Sequence, residues 1–464
     1  MLAGLLARSS DANAPSTGWK PIGVGGTERP VGQIGLARLG GTLHVAWIRR
    51  TGGNAYDLMH TSISPSGRIA APNVVVRGWY QLNQAALIAV RNRPASNVDL
   101  TAYFQGAKSV TPNEPYTGVV RANSGNQGSS WTLPESSALF TGNGTGAGLS
   151  AAEMVGEDTL LTWHELDGQV VAWAPPFDAT LVHYGQSACC ATNENVAGNG
   201  DDFTTAAAWL AWCQQNDAPS GLWVQKLDIR SDNGDRPPRL VGGATVLSGS
   251  QHVLCESQGR VPLVVRPADM SFFVAGLGSP SGRRVLLWRL GKAAPLLVAG
   301  GVDAKSRVAL AAAPDGRLWV AWRTFHDAST LHLRRSNRAG TVLGAQVDVK
   351  APAGAVEIWH TDLDAQADRV DAVTTFTFVS AIKGNPYHTQ VFPGLTLKAT
   401  GGKIAHFKVT DAGDPVAGAT IKVGGKTLHT AADGTASADL PIGSFTATAS
   451  KVHYVSARDS VQSV

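Results

Sequence analysis

A chain of 464 residues is longer than one hydrophobic core usually serves, so internal repetition or a second domain is expected. Apolar residues make up 43% and charged residues 16%, enough buried surface to fold. A net charge of +4 with no dense Lys/Arg run excludes the electrostatic footprint of a nucleic-acid binder. No apolar run approaches the roughly 20 residues of a membrane helix, and 52 Gly with 24 Pro imply many turns between short strands.

The first residues, Met1 to Arg8, are apolar over too short a stretch for a signal peptide and lack a basic start; residues 1–16 read as a flexible N-terminal segment from which a longer leader is missing. Gly18 to Val24 follows as an isolated strand able to complete the last repeat of the chain. Those repeats begin at once. Gly41-Thr42-Leu43-His44-Val45-Ala46-Trp47 matches Gly316-Arg317-Leu318-Trp319-Val320-Ala321-Trp322 closely, and related strands end at Tyr103, Trp163, Trp212, Gly276 and Phe376. The seven end points recur at an average of about 55 residues, slightly above the length of a four-stranded propeller blade.

Each copy has one strand before it and polar strands after it. Burial explains this order: strands packed between neighbouring blades are apolar on both faces, whereas outer strands alternate. The expected fold is all-β, a seven-bladed β-propeller over 17–400, or six-bladed if the sixth and seventh copies are not both blades. The terminal tryptophans would fill the wedges between blades. Tryptophan disappears after Thr400-Gly401-Gly402, and 401–464 reads as a small β-sandwich with strands near Ile404 to Val409, Ala419 to Val423, Thr427 to Thr430, Ala436 to Leu440 and Ser444 to Ala449.

Cys189, Cys190, Cys213 and Cys255 cluster in one quarter of the chain without C-x-x-C spacing, which fits two disulfides and an oxidising compartment. Neighbouring cysteines on a strand point to opposite faces, so one of Cys189 and Cys190 is expected to bridge to Cys213 and the other to Cys255.

The segment Ser124-Gly125-Asn126-Gln127-Gly128-Ser129-Ser130-Trp131 resembles the Asp-box of sialidase-like propellers, with Asn126 in the Asp position and Ser130 in the Thr position. Degenerate versions occur at Ser64-Pro65-Ser66-Gly67 and at Ser336 to Gly340. The resemblance implies that Ser124, Asn126, Gly128, Ser130 and Trp131 form a structural turn and take no part in chemistry. It also implies an active site in the central funnel, with arginines gripping a carboxylate and a tyrosine nucleophile. Glu28-Arg29-Pro30 lacks the aromatic and Ile of the family's first arginine motif, and Tyr387 in Asn385-Pro386-Tyr387-His388 has no arginine beside it.

The C-terminal stretch is similar to carboxypeptidase-regulatory-like or bacterial Ig-like modules through Val409-Thr410-Asp411, Asp414 to Ala419, Thr430 and Asp433-Gly434. Such modules are spacers or adhesive stalks, which implies an extracellular or cell-surface setting.

Glu165 and Glu256 form a candidate carboxylate pair for glycoside hydrolysis. Residues near the starts of the first strands, Arg29, Asn83, Asn193, His252, Arg307 and His360, are candidate binding groups, since convergent Arg and His suit an anionic sugar. His360-Thr361-Asp362-Leu363-Asp364 alternates oxygen donors but lacks the Gly and Glu of a calcium loop and reads as a solvated turn. No cofactor and no metal are expected. The reading is a secreted or surface protein binding glycan or protein through the propeller, without an evident catalytic signature. The alternatives are a divergent sialidase-like hydrolase or lyase, and a structural subunit of a surface assembly or homo-oligomer.

Overall fold

The computed structural model describes residues 15–23, 31–53, 55–90, 97–109, 118–134, 138–140, 150–153, 159–164, 170–173, 180–183, 191–198, 207–215, 219–229, 238–251, 253, 255, 260–279, 282–324, 326, 327, 329–378 and 386–464. Among the described residues, seven antiparallel sheets of four strands follow one another along the chain. Sheet 1 comprises Val31–Leu39, Thr42–Gly52, Ala55–Ile63 and Asn73–Trp79; sheet 2, Gln81–Ala89, Leu100–Ala107, Gly118–Ser124 and Ala138–Phe140; sheet 3, Ser150–Glu153, Thr159–His164, Val170–Trp173 and Thr180–His183. Sheet 4 comprises Ala191–Gly198, Ala207–Gln214, Gly221–Asp228 and Arg239–Val246; sheet 5, Leu263–Arg266, Ser271–Gly278, Arg284–Arg289 and Leu296–Gly300; sheet 6, Arg307–Ala312, Leu318–Arg323, Thr330–Arg335 and Val347–Lys350. In sheet 7, Ala355–Ala365, Val370–Phe378 and Pro386–Val391 are completed by Lys20–Pro21 from the N-terminal side, with Pro21 opposite Tyr387.

All seven repeated strands of the sequence are second strands of these sheets. Their burial follows from their place. Leu318–Arg323 is buried at every position, whereas the outermost Arg239–Val246 is largely exposed and Val347–Lys350 alternates. The tryptophans that close the sequence repeats, Trp47, Trp163, Trp212 and Trp322, lie within the second strands, and all are buried and pack as core.

First strands of consecutive sheets pack on one another, and the first strand of sheet 7 packs on that of sheet 1, so the series returns on itself. An ion cluster clasps this join: Arg38 of sheet 1 donates to Asp364 at 2.6 Å and to Asp371 at 2.7 Å in sheet 7, and Asp371 is held from the other side by His388 at 2.8 Å. Among the described residues no helix is long and apolar enough to cross a membrane.

Two further sheets form the C-terminal unit. One contains Thr396–Thr400, Ile404–Asp411, Asp414–Pro415 and Thr435–Asp439; the other contains Lys426–His429, Thr420–Val423, Gly443–Ser450 and Ala457–Ser463. They share a core of Leu397, Phe407, Val409, Ile421, Ala447 and Val461. Thr396–Thr400 pairs along its whole length with Ile404–Asp411. Strand pairing thus places Thr396–Thr400 with the C-terminal sheets.

It docks on sheet 6 through buried charge. Arg335, the last residue of the third strand, pairs with Asp411, donates to the Ala367 carbonyl at 2.8 Å and reaches the Tyr454 hydroxyl at 3.3 Å. Arg317, at the entry to the second strand, reaches Asp411 at 3.5 Å and Asp414 at 2.6 Å.

The disulfide corrects the expected pairing. Cys213, near the end of the second strand of sheet 4, is bonded to Cys255 before sheet 5, with Cα atoms 5.4 Å apart. The bond staples two adjacent sheets, because the chain leaving sheet 4 brings Cys255 back beside the strand end that carries Cys213. Neither is then available to Cys189 or Cys190, which lie outside the described residues.

Candidate functional site: an arginine cluster where the first strands begin

The first strands start at one end of the sheets, and there a cavity of about 110 Å³ is lined by Asn195, Arg260, Arg307, Arg323, His360 and Asp362, among others. Sheet 6 supplies two of the arginines by register: Arg307 opens its first strand, Arg323 closes its second, and the two are directly opposite each other. Like charges at facing positions repel, so this placement costs stability unless an anion sits between or beside them. Glu357 accepts from Arg323 Nη2 at 3.2 Å, which neutralises part of the charge. Nε and Nη1 of Arg323 and Nε of Arg307 are buried without a hydrogen-bond partner.

Arg307 Nη1 donates to the Trp359 carbonyl at 2.8 Å and to His360 Nδ1 at 3.2 Å, and its guanidinium lies 4.5 Å from the centre of the Trp359 ring. An arginine only donates, so His360 accepts at Nδ1 and carries its proton on Nε2. Its pKa is lowered to about 3, by burial first and then by Arg307, Arg323 and Arg260, and the imidazole is neutral at physiological pH. Burial lowers Arg307 to about 10 and also pulls Arg260 and Arg323 down; Arg307 still carries its charge at neutral pH. Asp362 is pushed the other way, to about 6, because burial of the carboxylate outweighs the pull of Arg260 and of the Ile34 amide. The cavity thus holds three guanidinium groups, a neutral imidazole and a carboxyl that exchanges its proton near neutrality.

Of the candidates named from sequence, Arg307 and His360 are brought together here. His360 to Asp364 is part of the strand Ala355–Ala365, not a solvated turn; a register shift between Ile358 and Thr361 sits beside His360. Arg29, His252, Glu165 and Glu256 lie outside the described residues, as do the side chains of Asn83 and Asn193, whose backbones are on the first strands of sheets 2 and 4. Tyr387 is elsewhere: it sits on the third strand of sheet 7 between Phe376 at 5.3 Å and Phe378 at 6.0 Å, and burial raises its pKa, the wrong direction for a nucleophile. Arg260 and Arg323 had no role in the sequence reading, and Asp362 entered it only as an oxygen donor of the stretch His360 to Asp364. Arg323 directly follows the conspicuous Trp322, and only the register of sheet 6 shows that it faces Arg307. Among the described residues no group of three or more His, Cys, Asp or Glu is placed to hold a metal ion.

The turn Ser124 to Trp131 closes on itself. Ser124 Oγ accepts the Gly128 amide at 2.8 Å, Asn126 Oδ1 accepts the Ser130 amide at 2.9 Å, and Trp131 Nε1 donates to the Gly128 carbonyl at 3.1 Å. Asn337 repeats the second bond with Thr341 at 2.9 Å. The turn also grips the neighbouring sheet, since Asn73 donates to the Gly128 and Ser129 carbonyls and Trp131 packs edge-on against His60. Gly128 has φ +78°, and a Cβ there would overlap the His60 ring. Gly128→Ala is expected to lower the unfolding free energy by roughly 2–4 kcal/mol through strain and overpacking. Denaturant titration checks this, and a loss below about 0.5 kcal/mol would contradict it.

No family model and no curated protein matches the sequence. Several solved structures are similar at low identity. An ulvan lyase of polysaccharide lyase family 25, bound to a glucuronyl-rhamnose-sulfate chain, is 9% identical with a TM-score of 0.48, covering 80% of this chain and 95% of its own. A protein of unknown function from Dyadobacter fermentans is 9% identical with a TM-score of 0.47, covering 81% and 98%. The fucose-binding lectin of Aleuria aurantia, a six-bladed propeller, is 10% identical with a TM-score of 0.40, covering 65% and 90%.

Proposed function

We propose that this protein recognises an anionic saccharide, and that Arg260, Arg307 and Arg323 take its carboxylate or sulfate where the first strands begin. The observation that carries this reading is the facing pair Arg307 and Arg323, with three of their buried N–H-bearing nitrogens unpartnered. A cavity of about 110 Å³ is smaller than the roughly 300–1,000 Å³ of whole-ligand pockets, which fits entry of a charged substituent with the sugar body outside. In the same reading the seven sheets are the blades of a propeller, the 124–131 turn is a sialidase-like Asp-box, the C-terminal sandwich is an Ig-like module, and the protein works outside the cell or on its surface.

The test is calorimetric titration with oligogalacturonate and sialyllactose, using lactose and cellobiose as neutral controls. Acidic probes are expected to bind and Arg323→Gln to weaken them roughly 10- to 100-fold, the range for a hydrogen bond to a charged group. Binding should tighten from pH 7.5 to 5, because Asp362 takes up a proton near 6 and removes a negative charge from the cavity, while ordinary carboxylates stay ionised. Acidic-probe binding that is unchanged in Arg323→Gln, or neutral-probe binding that falls as much as acidic-probe binding in that variant, would overturn the reading.

Asp362 favours a second reading, an acidic-glycan hydrolase or lyase, since a carboxyl titrating at about 6 is poised for general acid or base work. New reducing ends, or the ultraviolet absorbance of an unsaturated product, would appear with the same probes and vanish in Asp362→Asn.

A further inference from the structure

At the opposite end of the sheets, where first strands turn into second strands, a polar cavity of about 420 Å³ lies between sheets 1 and 2. Its walls include His44 from the second strand of sheet 1, Asp99 at the approach to the second strand of sheet 2, Ser62, Ser64, Arg68 and Gln127. The turn Ser124 to Trp131 supplies one wall, so a segment read as purely structural also shapes a pocket.

The hydrogen-bond chain behind His44 determines what the cavity presents. Asn73 Nδ2 donates to the Gly128 and Ser129 carbonyls, which leaves Asn73 Oδ1 as the acceptor facing His60 Nδ1 at 3.1 Å. His60 therefore carries its proton on Nδ1 and offers a lone pair at Nε2. His44 Nδ1, 3.1 Å from that nitrogen, must donate to it. Both rings are neutral at physiological pH: burial lowers each pKa to about 4. His44 Nε2 is then a bare lone pair, and it is buried, on a residue 1% exposed, with no hydrogen-bond partner. Asp99, a partly buried residue, carries one such atom. One of its oxygens accepts the Gln127 amide, while Oδ1 is buried and unpartnered.

Two residues that line one cavity thus each carry a buried acceptor without a donor. What satisfies them is a molecule that offers O–H or N–H groups and brings no negative charge toward Asp99. Arg68, exposed at the rim, disfavours an approaching cation, and among the described residues no three His, Cys, Asp or Glu are placed here to hold a metal ion. The volume falls within the range of small-molecule pockets.

We infer that the crevice between sheets 1 and 2 binds a neutral saccharide unit, with His44 Nε2 and Asp99 Oδ1 accepting hydrogen bonds from its hydroxyls. This site is separate from the arginine cluster in residues, in position and in the sign of charge it selects.

The experiment titrates the full chain with the methyl glycosides of glucose, galactose, mannose and fucose, following the His44 Nε2 nitrogen resonance and the heat of binding. At least one glycoside is expected to bind and to move that resonance as the lone pair accepts a hydrogen bond. Asp99→Asn keeps an oxygen for the Gln127 amide but turns the cavity-facing acceptor into a donor, and should weaken binding at least about tenfold. Should that variant fail to fold, the resonance shift in the wild type and the variant His44→Gln carry the test. Arg323→Gln should leave neutral binding unchanged. The inference fails if no glycoside moves the resonance up to its solubility limit, if Ca²⁺ or Zn²⁺ alone does so instead, or if binding survives in Asp99→Asn and is lost in Arg323→Gln.

Discussion

Replacing Asp411 by alanine is expected to lower the unfolding free energy by about 3–5 kcal/mol, because it leaves a guanidinium buried without its counter-charge. Arg335 is 1% exposed and Asp411 2%. Neither charge can turn to water without undocking the C-terminal unit from sheet 6. Burial holds the Asp411 carboxyl above the ordinary carboxylate range even beside Arg335 and Arg317, so desolvation here outweighs the attraction. The pair therefore specifies where the two units meet more than it stabilises them. The double replacement Arg335→Met with Asp411→Leu should accordingly cost less than Asp411→Ala alone, since it removes both buried charges. Equilibrium denaturation of the three proteins decides this. A loss below about 1 kcal/mol for Asp411→Ala would show that the junction tolerates an unpaired charge.

Acid should unfold the protein steeply. His44 and His60 have pKa values lowered to about 4 and His360 to about 3, so between pH 4 and 6.5 the unfolded chain binds protons that the folded chain does not. Stability from these groups is complete above about pH 6.5 and is lost as pH falls toward 4. Asp362 acts oppositely: raised to about 6, it holds a proton in the folded state that the unfolded chain releases. Near pH 5 the four groups together leave about two more protons on the unfolded chain, a slope of roughly 2.7 kcal/mol per pH unit. Chemical denaturation at pH 7, 6 and 5 measures that slope. Asp364 and Asp411, whose pKa values burial also raises, oppose the imidazoles, so a flat profile that His60→Phe leaves unchanged would mean that His60 is charged in the folded protein. His60→Phe, which removes one titrating group and keeps a ring against Trp131, should make the profile shallower.

Much of the fold was legible because it repeats. A strand that is apolar on both faces, such as Leu318–Arg323, has a sequence signature independent of its neighbours, and seven copies gave the order of the sheets. The closing strand was legible for the same reason: Lys20–Pro21 follows an isolated tryptophan and precedes the first full repeat. Pairing was harder to read. Thr396–Thr400 looked like the end of the repeats because its partner, Ile404–Asp411, lies across a turn of the next unit. The cysteine partners were inferred from strand alternation, whereas the path of the chain between sheets 4 and 5 brought Cys213 to Cys255.

The sites were less legible, since each depends on facing positions far apart in sequence. Arg307 and His360 were read from their places near strand starts, but their meeting at 3.2 Å joins residues 53 apart. Arg323 was masked by Trp322, and Arg260 carried no local signal. His44 and Asp99 belong to different sheets, and nothing in either neighbourhood marks them as a pair.

What the sequence by itself determined is the material of the molecule: strand period, turn chemistry and a repeated apolar second strand, all properties of neighbours along the chain. Tertiary structure decided the rest. Register set Arg307 against Arg323, the packing of one sheet on the next left His44 Nε2 and Asp99 Oδ1 without a partner, and docking buried Arg335 on Asp411. Charge and hydrogen-bond complementarity act across space, and only the folded chain brings those groups within reach of one another.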